Sequence, residues 1–226
     1  MIVHVGASNT AEALQLATHA ASAGATAISS LPPLTGHYSF EEIRDYYTAL
    51  ADASTLPLLV YYFPQIAPGI TPPQLRELCA IPGVAGAKFT DYDLFTMSHL
   101  KQNGAVVYYG RDEMLAAGLL FGADGGIGTF YNILPGPFVK LFRLAEEQRW
   151  EEAIPLQARI NEFIRISLRY PLLAAIKEFL RWTGIDCGTC LAPRRQHLSD
   201  VEARCFRADI EQACLQDLLS SAIRPL

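Results

Sequence analysis

A lysine stands near the end of an apolar run that otherwise has the composition of a buried strand, Val84-Ala-Gly-Ala-Lys88-Phe89. Burying an ammonium group without a partner is costly, so this position needs an explanation. A structural explanation is that the amine reaches solvent at the strand end or pairs with Asp91 or Asp93. A chemical explanation is that desolvation favours the neutral amine, which can attack a ketone carbonyl and form an imine. Taken alone, the lysine leaves both explanations open.

Tyr61 lies near the end of the preceding apolar run. Cleavage of a carbon–carbon bond next to an imine needs a group that moves a proton to and from the departing hydroxyl, and a phenol on the adjacent strand can do this. Tyr61 also fits a core or rim aromatic side chain whose hydroxyl finds any nearby acceptor. The chemical interpretations of Lys88 and Tyr61 support each other, because the reaction needs both groups.

The elements that would position these side chains alternate along the chain. Short apolar runs are predicted to be strands, at residues 2–5, 25–29, 57–62, 84–89, 105–109 and 124–128. Segments with helical periodicity follow them, at residues 10–23, 40–53, 72–80, 94–102, 113–121 and 135–147. Ser39-Phe-Glu-Glu42 and Thr71-Pro-Pro-Gln74 have the pattern of capping boxes at two helix starts. The alternation predicts a parallel sheet covered by helices.

Such a sheet is either open and doubly wound or closed into a (β/α)₈ barrel. An open nucleotide-binding sheet normally has a glycine-rich phosphate turn after its first strand, and Gly6-Ala-Ser-Asn-Thr10 does not match one. The polar residues follow the carboxyl ends of the runs, where a barrel builds its active site. The pattern favours the barrel, although six strand–helix units are fewer than the eight of a closed one.

No further strand is predicted after the sixth unit. Residues 151–182 are predicted to form two helices joined near Tyr170-Pro171, and residues 199–219 a last helix. We therefore predict a partial barrel in residues 1–149 that carries the active site, followed by C-terminal helices in residues 150–226 that pack on the barrel.

Four sequence blocks together are highly specific: Tyr61-Tyr-Phe-Pro64, Gly86-Ala-Lys-Phe-Thr-Asp91, Gly110-Arg-Asp-Glu113 and Gly122-Ala-Asp-Gly-Gly-Ile-Gly-Thr-Phe-Tyr-Asn132. In order and spacing they resemble the N-acetylneuraminate lyase / dihydrodipicolinate synthase family of pyruvate-dependent class I aldolases. The resemblance extends from Ile2 to about Leu180 and is greatest for the lyase branch. It implies a TIM barrel, a homotetramer and the reversible cleavage of N-acetylneuraminate or a related 2-keto-3-deoxy sugar acid with release of pyruvate.

The resemblance also implies residue roles. Lys88 would form the Schiff base with pyruvate, and Tyr61 would relay the proton. The sugar-acid pocket would receive contributions from Thr90, Gly110, Asp112, Glu113, Gly128 and Thr129. No cofactor and no metal is expected, because the covalent imine on Lys88 supplies the electron sink that a metal would otherwise provide.

The sequence departs from the family pattern in two places. The synthase branch has an arginine shortly after the proline of the tyrosine motif, whereas Gln65, Ile66 and Ala67 follow Pro64 here, which counts against dihydrodipicolinate synthesis. Family members also begin with two further βα units, which carry a G-[ST]-T-G-E turn for the pyruvate carboxylate. This sequence starts at what resembles the third strand, so we expect a (β/α)₈ TIM barrel truncated to six βα units.

The resemblance and the two departures from it leave three interpretations of function. The first is an active carbon–carbon lyase of the N-acetylneuraminate type. The second is a family aldolase with another aldehyde partner, of the dihydrodipicolinate synthase kind. The third is a catalytically impaired fragment or truncated paralogue that acts in binding or assembly.

Composition narrows the class of protein and its partners. Of the 226 residues, 50% are apolar and 18% charged, which is typical of one globular domain. The net charge of -5 and the scattered Lys and Arg residues argue against a nucleic-acid partner. No run of apolar residues is long enough to span a membrane. The expected partners are pyruvate, a sugar-acid substrate and further copies of the chain.

The five cysteines are an odd number without framework spacing, which favours a reducing compartment and a cytoplasmic location. Cys187-Gly-Thr-Cys190 is interpreted as a pair of ordinary free thiols, with a metal or redox role as the alternative. His4, within the first run, is interpreted as a core histidine rather than a ligand.

Overall fold

The computed structural model describes residues 1–34 and 36–218. In this part of the chain, the strands form one parallel sheet in the order of the sequence, β1-β2-β3-β4-β5-β6. The strands are β1 (Ile2–His4), β2 (Ala27–Ser30), β3 (Leu58–Tyr62), β4 (Val84–Phe89), β5 (Val106–Tyr109) and β6 (Gly125–Gly126). A nucleotide-binding doubly wound sheet reverses its strand order at a switch point, and this sheet does not. The prediction of six units of a (β/α)₈ barrel is therefore confirmed.

Helices alternate with the strands and then continue alone. They are α1 (Thr10–Ser22), α2 (Phe40–Ala53), α3 (Pro72–Cys79), α4 (Leu94–Gln102), α5 (Leu115–Leu120), α6 (Pro135–Glu146), α7 (Trp150–Ser167), α8 (Leu172–Trp182) and α9 (Asp200–Gln212), with 3₁₀ turns at Asp112–Met114 and Phe130–Asn132. The predicted helices are confirmed to within a few residues, except that α9 is shorter than predicted and that the predicted end at Leu219 lies outside the described residues.

The predicted helix starts depend on local hydrogen bonds. The backbone N–H of Ser39 donates to Glu42 at 2.7 Å and the N–H of Glu42 donates to the Ser39 hydroxyl at 3.2 Å, which is a complete capping box. At α3 the Gln74 amide oxygen accepts from both the N–H and the hydroxyl of Thr71, at 2.9 and 2.8 Å. The contact from Gln74 back to the backbone of Thr71, which the second predicted capping box requires, is therefore present. The Thr71 hydroxyl also donates to the Gln74 side chain.

The chain divides into two compact units. The first contains Met1–Arg111 and Gly118–Ile127, and so the whole sheet. The second contains Asp112–Ala117 and the described residues from Gly128 onwards, with α6 to α9. The domain boundary predicted between residues 149 and 150 stays a prediction, because a packing unit is not the same as an independently folding domain.

Within the first unit, the register of the sheet sorts side chains onto two faces. Tyr62, Phe89 and Tyr109 are register partners and are at most 4% exposed, so this face of the sheet is closed by packing. Tyr61, Lys88 and Tyr108 are the partners one residue earlier, and all three are half-buried. Because successive side chains of a strand alternate between faces, Tyr61 and Lys88 project together from the less covered face.

A β-bulge precedes Lys88. Leu58 pairs with Val84 but Leu59 pairs with Gly86, so one extra residue of β4 lies opposite β3. Gly86 has φ of +153°, and a β-carbon there would lie 1.9 Å from the Val106 carbonyl oxygen. Only glycine fits both the dihedral angle and the close approach to β5. The bulge and Gly86 together set the register that places Lys88 beside Tyr61.

Replacing Gly86 with alanine is expected to lower the free energy of unfolding by roughly 3 kcal/mol, because it adds a backbone clash to an unfavourable φ. Urea denaturation measures the change. Gly104→Ala is the matched control, since Gly104 also has a positive φ of +81° but has open space around its missing β-carbon. It is expected to cost about 1 kcal/mol. Equal losses in the two variants would contradict the proposed role of the close approach.

Candidate active site

The amine of Lys88 lies over the ring of Tyr61. Its Nζ atom is 3.8 Å from the ring centroid, on the adjacent strand and in direct register. Neither the amine nor the Tyr61 hydroxyl has a hydrogen-bond or ion-pair partner among the described residues, so Asp91 and Asp93 do not neutralise Lys88. The amine is half-buried rather than fully buried. A cation held over an aromatic face in this way is stabilised by the ring's electrons and leaves the amine open to a ligand.

The carboxylates nearest to Lys88 in sequence have other partners. Asp91 accepts the N–H of Tyr92 at 2.7 Å. Asp93 is the N-cap of α4 and accepts from both the N–H and the hydroxyl of Thr96, and these bonds lower the pKa of Asp93. The structural explanation in which Lys88 is paired with one of these acids is therefore wrong.

His4 borders the same pair. Its ring meets the Tyr61 ring edge-on, with 6.0 Å between centroids. The His4 residue is exposed rather than part of the core, so the interpretation as a core histidine is wrong. The ring is nevertheless sheltered near Gly6 and Ser30, and this burial, followed by the positive charge of Lys88, lowers the pKa of His4 below its ordinary value of 6.5. His4 therefore stays neutral to a lower pH than a free histidine.

This pKa shift predicts a pH dependence of stability. As the pH falls below 6.5, the unfolded chain takes up a proton on His4 before the folded chain does, so His4 makes stability fall towards acid pH. Well above pH 6.5 the effect vanishes, since the histidine is neutral in both states. We expect the urea midpoint of the native chain to fall more between pH 7.5 and 5.5 than that of His4→Gln. Parallel curves for the two proteins would contradict the shift.

Thr90 and Gly110 lie together at the ends of β4 and β5. The N–H of Gly110 donates to the Phe89 carbonyl at 2.8 Å, and a β-carbon at Gly110 would lie 1.9 Å from the Thr90 hydroxyl oxygen. Gly110 therefore makes the space that the Thr90 side chain fills. Thr90 is 5% exposed, and its hydroxyl has no hydrogen-bond partner among the described residues. A buried hydroxyl without a partner is costly and is suited to a polar ligand group.

In the second unit, Asp112 and Gly128 form a close contact. The Asp112 carboxylate accepts the N–H of Phe130 at 2.6 Å, and a β-carbon at Gly128 would lie 1.5 Å from its other oxygen. Asp112 is 5% exposed. These bonds give it a structural function, because it holds the turn that begins at Gly128, and the predicted substrate contact stays a prediction.

Two polar side chains of α7 position the Asp112 turn, and the sequence analysis did not identify them. The amide of Gln157 donates to the Asp112 carbonyl at 3.2 Å and accepts the N–H of Ala116 at 2.9 Å. Asn161 donates to the Glu113 carbonyl at 2.9 Å. Gln157 is a buried amide among mostly apolar buried residues of α7, and this pattern is the signal that the sequence offers.

The remaining predicted residues are accessible. The Glu113 side chain is half-buried, whereas Thr129 is exposed and precedes the 3₁₀ turn Phe130–Asn132. The structure thus groups the eight predicted residues into two sets. Tyr61, Lys88, Thr90 and Gly110 belong to the first unit, and Asp112, Glu113, Gly128 and Thr129 to the second.

Other features of the chain bear on its class. Within the described residues, no three His, Cys, Asp or Glu side chains are grouped to hold a metal ion. The five cysteines are free thiols, Cys187 and Cys190 included. Among the helices in residues 1–34 and 36–218, none has the length and apolar character needed to cross a membrane.

A parallel barrel-type sheet with an accessible lysine over a tyrosine on the next strand has the groups that imine formation with a carbonyl compound requires. The profile of the dihydrodipicolinate synthetase family matches residues 1–213. The chain belongs to this family.

Curated relatives are N-acetylneuraminate lyases. The chain is 40% identical to that of Rhizobium meliloti over 198 residues, which cover 87% of this chain and 66% of the relative. It is 35% identical to that of Escherichia fergusonii over 189 residues, covering 82% of this chain and 64% of the relative. The chain thus spans about two thirds of the length of these curated relatives.

Solved structures show the same likeness. The wild-type sialic acid aldolase of Ruminococcus gnavus aligns with a TM-score of 0.88 and 27% identity, over 98% of this chain and 75% of that one. The N-acetylneuraminate lyase of Fusobacterium nucleatum aligns with a TM-score of 0.86 and 28% identity, over 93% and 73%.

Proposed function

We propose that the chain is, or is the greater part of, a Schiff-base aldolase that reversibly cleaves N-acetylneuraminate or a related 2-keto-3-deoxy sugar acid and releases pyruvate. The observation that carries the proposal is the Lys88 amine, 3.8 Å above the Tyr61 ring and without an acid partner. Membership of the family and the names of the curated relatives support the same reaction.

The reaction begins when the neutral Lys88 amine attacks the keto carbon of the substrate. The Tyr61 phenol donates its proton to the departing hydroxyl, so that loss of water leaves a phenolate and an iminium ion, whose positive charge lies over the Tyr61 ring. The bond between the third and fourth substrate carbons then breaks, and its electron pair moves into the iminium to give a neutral enamine. The proton of the fourth-carbon hydroxyl passes to the Tyr61 oxygen, and an aldehyde leaves.

Tyr61 completes the cycle by returning a proton. The enamine takes this proton at its terminal carbon, water adds to the resulting iminium and returns a proton to the Tyr61 oxygen, and pyruvate and the free Lys88 amine are released. No redox change occurs, and no cofactor or metal is required, since the iminium is the electron sink. Tyr61 thus acts as acid and base in turn. Lys88 stays covalently bound to the keto-acid part of the substrate until the final hydrolysis.

In this proposal Thr90 and Gly110 bind the rest of the substrate. The Thr90 hydroxyl has no hydrogen-bond partner among the described residues and lies in the space that Gly110 provides, so it is suited to a hydroxyl or carbonyl of the sugar chain. Contacts of the substrate with Asp112, Glu113, Gly128 and Thr129 stay predictions from the family resemblance. In this proposal the small-molecule partners are pyruvate and a sugar acid, and the chain acts as a homo-oligomer. The five free thiols favour the cytoplasm as its location.

The experiment is a direct assay of pyruvate release. The purified 226-residue chain is incubated with N-acetylneuraminate and with a 2-keto-3-deoxy sugar acid that lacks nitrogen, and pyruvate is followed by its reduction to lactate. Release above a heat-denatured control supports the proposal, and the preferred substrate identifies the aldehyde partner. If neither substrate yields pyruvate, the proposal of an active lyase fails. An imine without turnover would then favour the binding protein, which is the alternative predicted from the sequence.

A further inference from the structure

Arg111 lies between aromatic side chains at the carboxyl end of the sheet. Its guanidinium carbon is 4.1 Å from the centroid of Tyr92 and 5.5 Å from that of Phe63. One terminal nitrogen donates to the amide oxygen of Gln65. The Nε atom is buried and has no hydrogen-bond partner among the described residues. Arg111 is therefore held in place mainly by ring faces, with part of its donor capacity unused.

Arg111 has no acidic partner in the part of the chain that the structure describes. Arg111 forms no ion pair with any residue of 1–34 or 36–218. Asp91 and Asp93, which belong to the same loop as Tyr92, are bonded to the backbone N–H of Tyr92 and to Thr96. Partly buried guanidinium groups are normally paired with carboxylate or phosphate oxygens, which match their fork of donors. An unpaired one is suited to an anion from outside the chain.

A line of ring contacts joins Arg111 to the candidate imine. The Phe63 ring that borders Arg111 is stacked on Tyr61, with 6.0 Å between centroids and 18° between planes. Tyr61 in turn lies under the Lys88 amine. Gly110, beside Arg111 in sequence, borders the unpaired hydroxyl of Thr90. The contacts thus run from Lys88 through Tyr61 and Phe63 to Arg111, all within the first unit.

We propose that Arg111 determines substrate specificity by binding an anionic group, a carboxylate or a phosphate ester, at the far end of the aldehyde half of the substrate. The inference rests on the proposed function, because it assigns the aldehyde half through its position relative to Lys88. With this function of Arg111, a sugar aldehyde that ends in a carboxylate or a phosphate binds more tightly than a neutral sugar aldehyde.

A purely structural function for Arg111 would give different results. In that case its contacts with Gln65, Phe63 and Tyr92 would only tie the loops after β3 and β4 together. Removing the charge would then lower stability and weaken charged and neutral ligands equally. A ligand series that differs only in its terminal group separates the two functions.

The experiment measures binding without pyruvate, so that no imine is involved. The probes are D-glucuronate, D-glucose 6-phosphate and D-glucose, titrated calorimetrically into the native chain, Arg111→Gln and Arg76→Gln. Arg76 is an exposed arginine near the end of α3, and its variant changes the net charge equally. We expect the native chain and Arg76→Gln to bind at least one anionic probe about tenfold or more tighter than glucose, and Arg111→Gln to lose that preference.

The results of these titrations distinguish anion binding by Arg111 from a purely structural function of this residue. A preference for glucuronate over the phosphate identifies a carboxylate ligand, and the reverse identifies a phosphate. Equal binding of all three probes, no binding of any, or an undiminished preference in Arg111→Gln would overturn the inference. None of these titrations depends on Lys88. A negative titration therefore does not contradict the aldolase proposal, and a negative aldolase assay does not prevent interpretation of the titrations.

Discussion

Replacing Lys88 with arginine is expected to abolish the release of pyruvate, with a fall in the cleavage rate of roughly 10⁴-fold or more. Arginine keeps a positive charge over the Tyr61 ring, but its guanidinium does not lose a proton in proteins and cannot attack a carbonyl. The change therefore removes the nucleophile and retains the electrostatic contact. The initial rate of pyruvate formation at saturating substrate measures the effect.

Lys101→Arg is the matched control for this variant. Lys101 lies in α4 and pairs with Asp124 at 2.6 Å, and arginine can keep that pair. Its rate is expected to equal that of the native chain. If Lys88→Arg retained more than a few per cent of the native rate while remaining folded, a mechanism through an imine on Lys88 would be untenable.

Tyr61→Phe is expected to lower the cleavage rate by about 10² to 10⁴-fold, the range typical of a lost general acid–base group. Phenylalanine keeps the ring under the Lys88 amine and against Phe63, so the positions of both neighbours persist. Only the hydroxyl that carries the proton is lost. Imine formation with pyruvate is expected to survive at a reduced rate, because the amine itself is unchanged.

Tyr62→Phe is the control, since it removes the hydroxyl of the next residue on the opposite face of β3. The Tyr62 side chain is 4% exposed and stacks on Phe89, away from Lys88. Rapid-quench measurement of turnover, together with borohydride trapping, separates the two steps. Equal turnover in Tyr61→Phe and in Tyr62→Phe would show that the phenol of Tyr61 carries no proton in the reaction.

The sequence predicted the sheet and the central pair well. The strands were readable because their apolar runs are short and separated by helices with local start signals, such as the box at Ser39 and Glu42. Lys88 and Tyr61 were identifiable because a lysine in an apolar run conflicts with burial, and because residues near the ends of adjacent parallel strands converge. Their contact in register is a direct consequence of that convergence.

Other features depend on contacts between distant segments and could not be read locally. The bulge before Gly86 is defined by how β4 pairs with β3, which no pattern within β4 reveals. Asp112 carries the charge expected of a substrate ligand, but its carboxylate accepts the N–H of Phe130, which lies 18 positions further along the chain. A local sequence pattern does not reveal this hydrogen bond. The apolar residues around His4 predict a core position, whereas the structure places its ring at the accessible face of the sheet, edge-on to Tyr61.

Arg111 illustrates the same limit at the candidate site. In the sequence it is the variable position of the Gly110-Arg-Asp-Glu113 block, and nothing nearby marks it as unusual. Its setting comes from two other loops, which bring Phe63, Gln65 and Tyr92 around the guanidinium. Sequence proximity to Asp112 suggests an ion pair, and the structure shows none for Arg111 among the described residues.

The central claim, that Lys88 forms an imine with a keto acid, is tested by incubating the native chain with pyruvate and sodium borohydride and mapping the modified peptide by mass spectrometry. Reduction converts a lysine imine into a stable carboxyethyl-lysine. We predict this modification on Lys88, dependent on both reagents, with Lys101 and Lys177 unmodified. A chain whose Lys88 remained unmodified, or whose lysines reacted indiscriminately, would contradict the account.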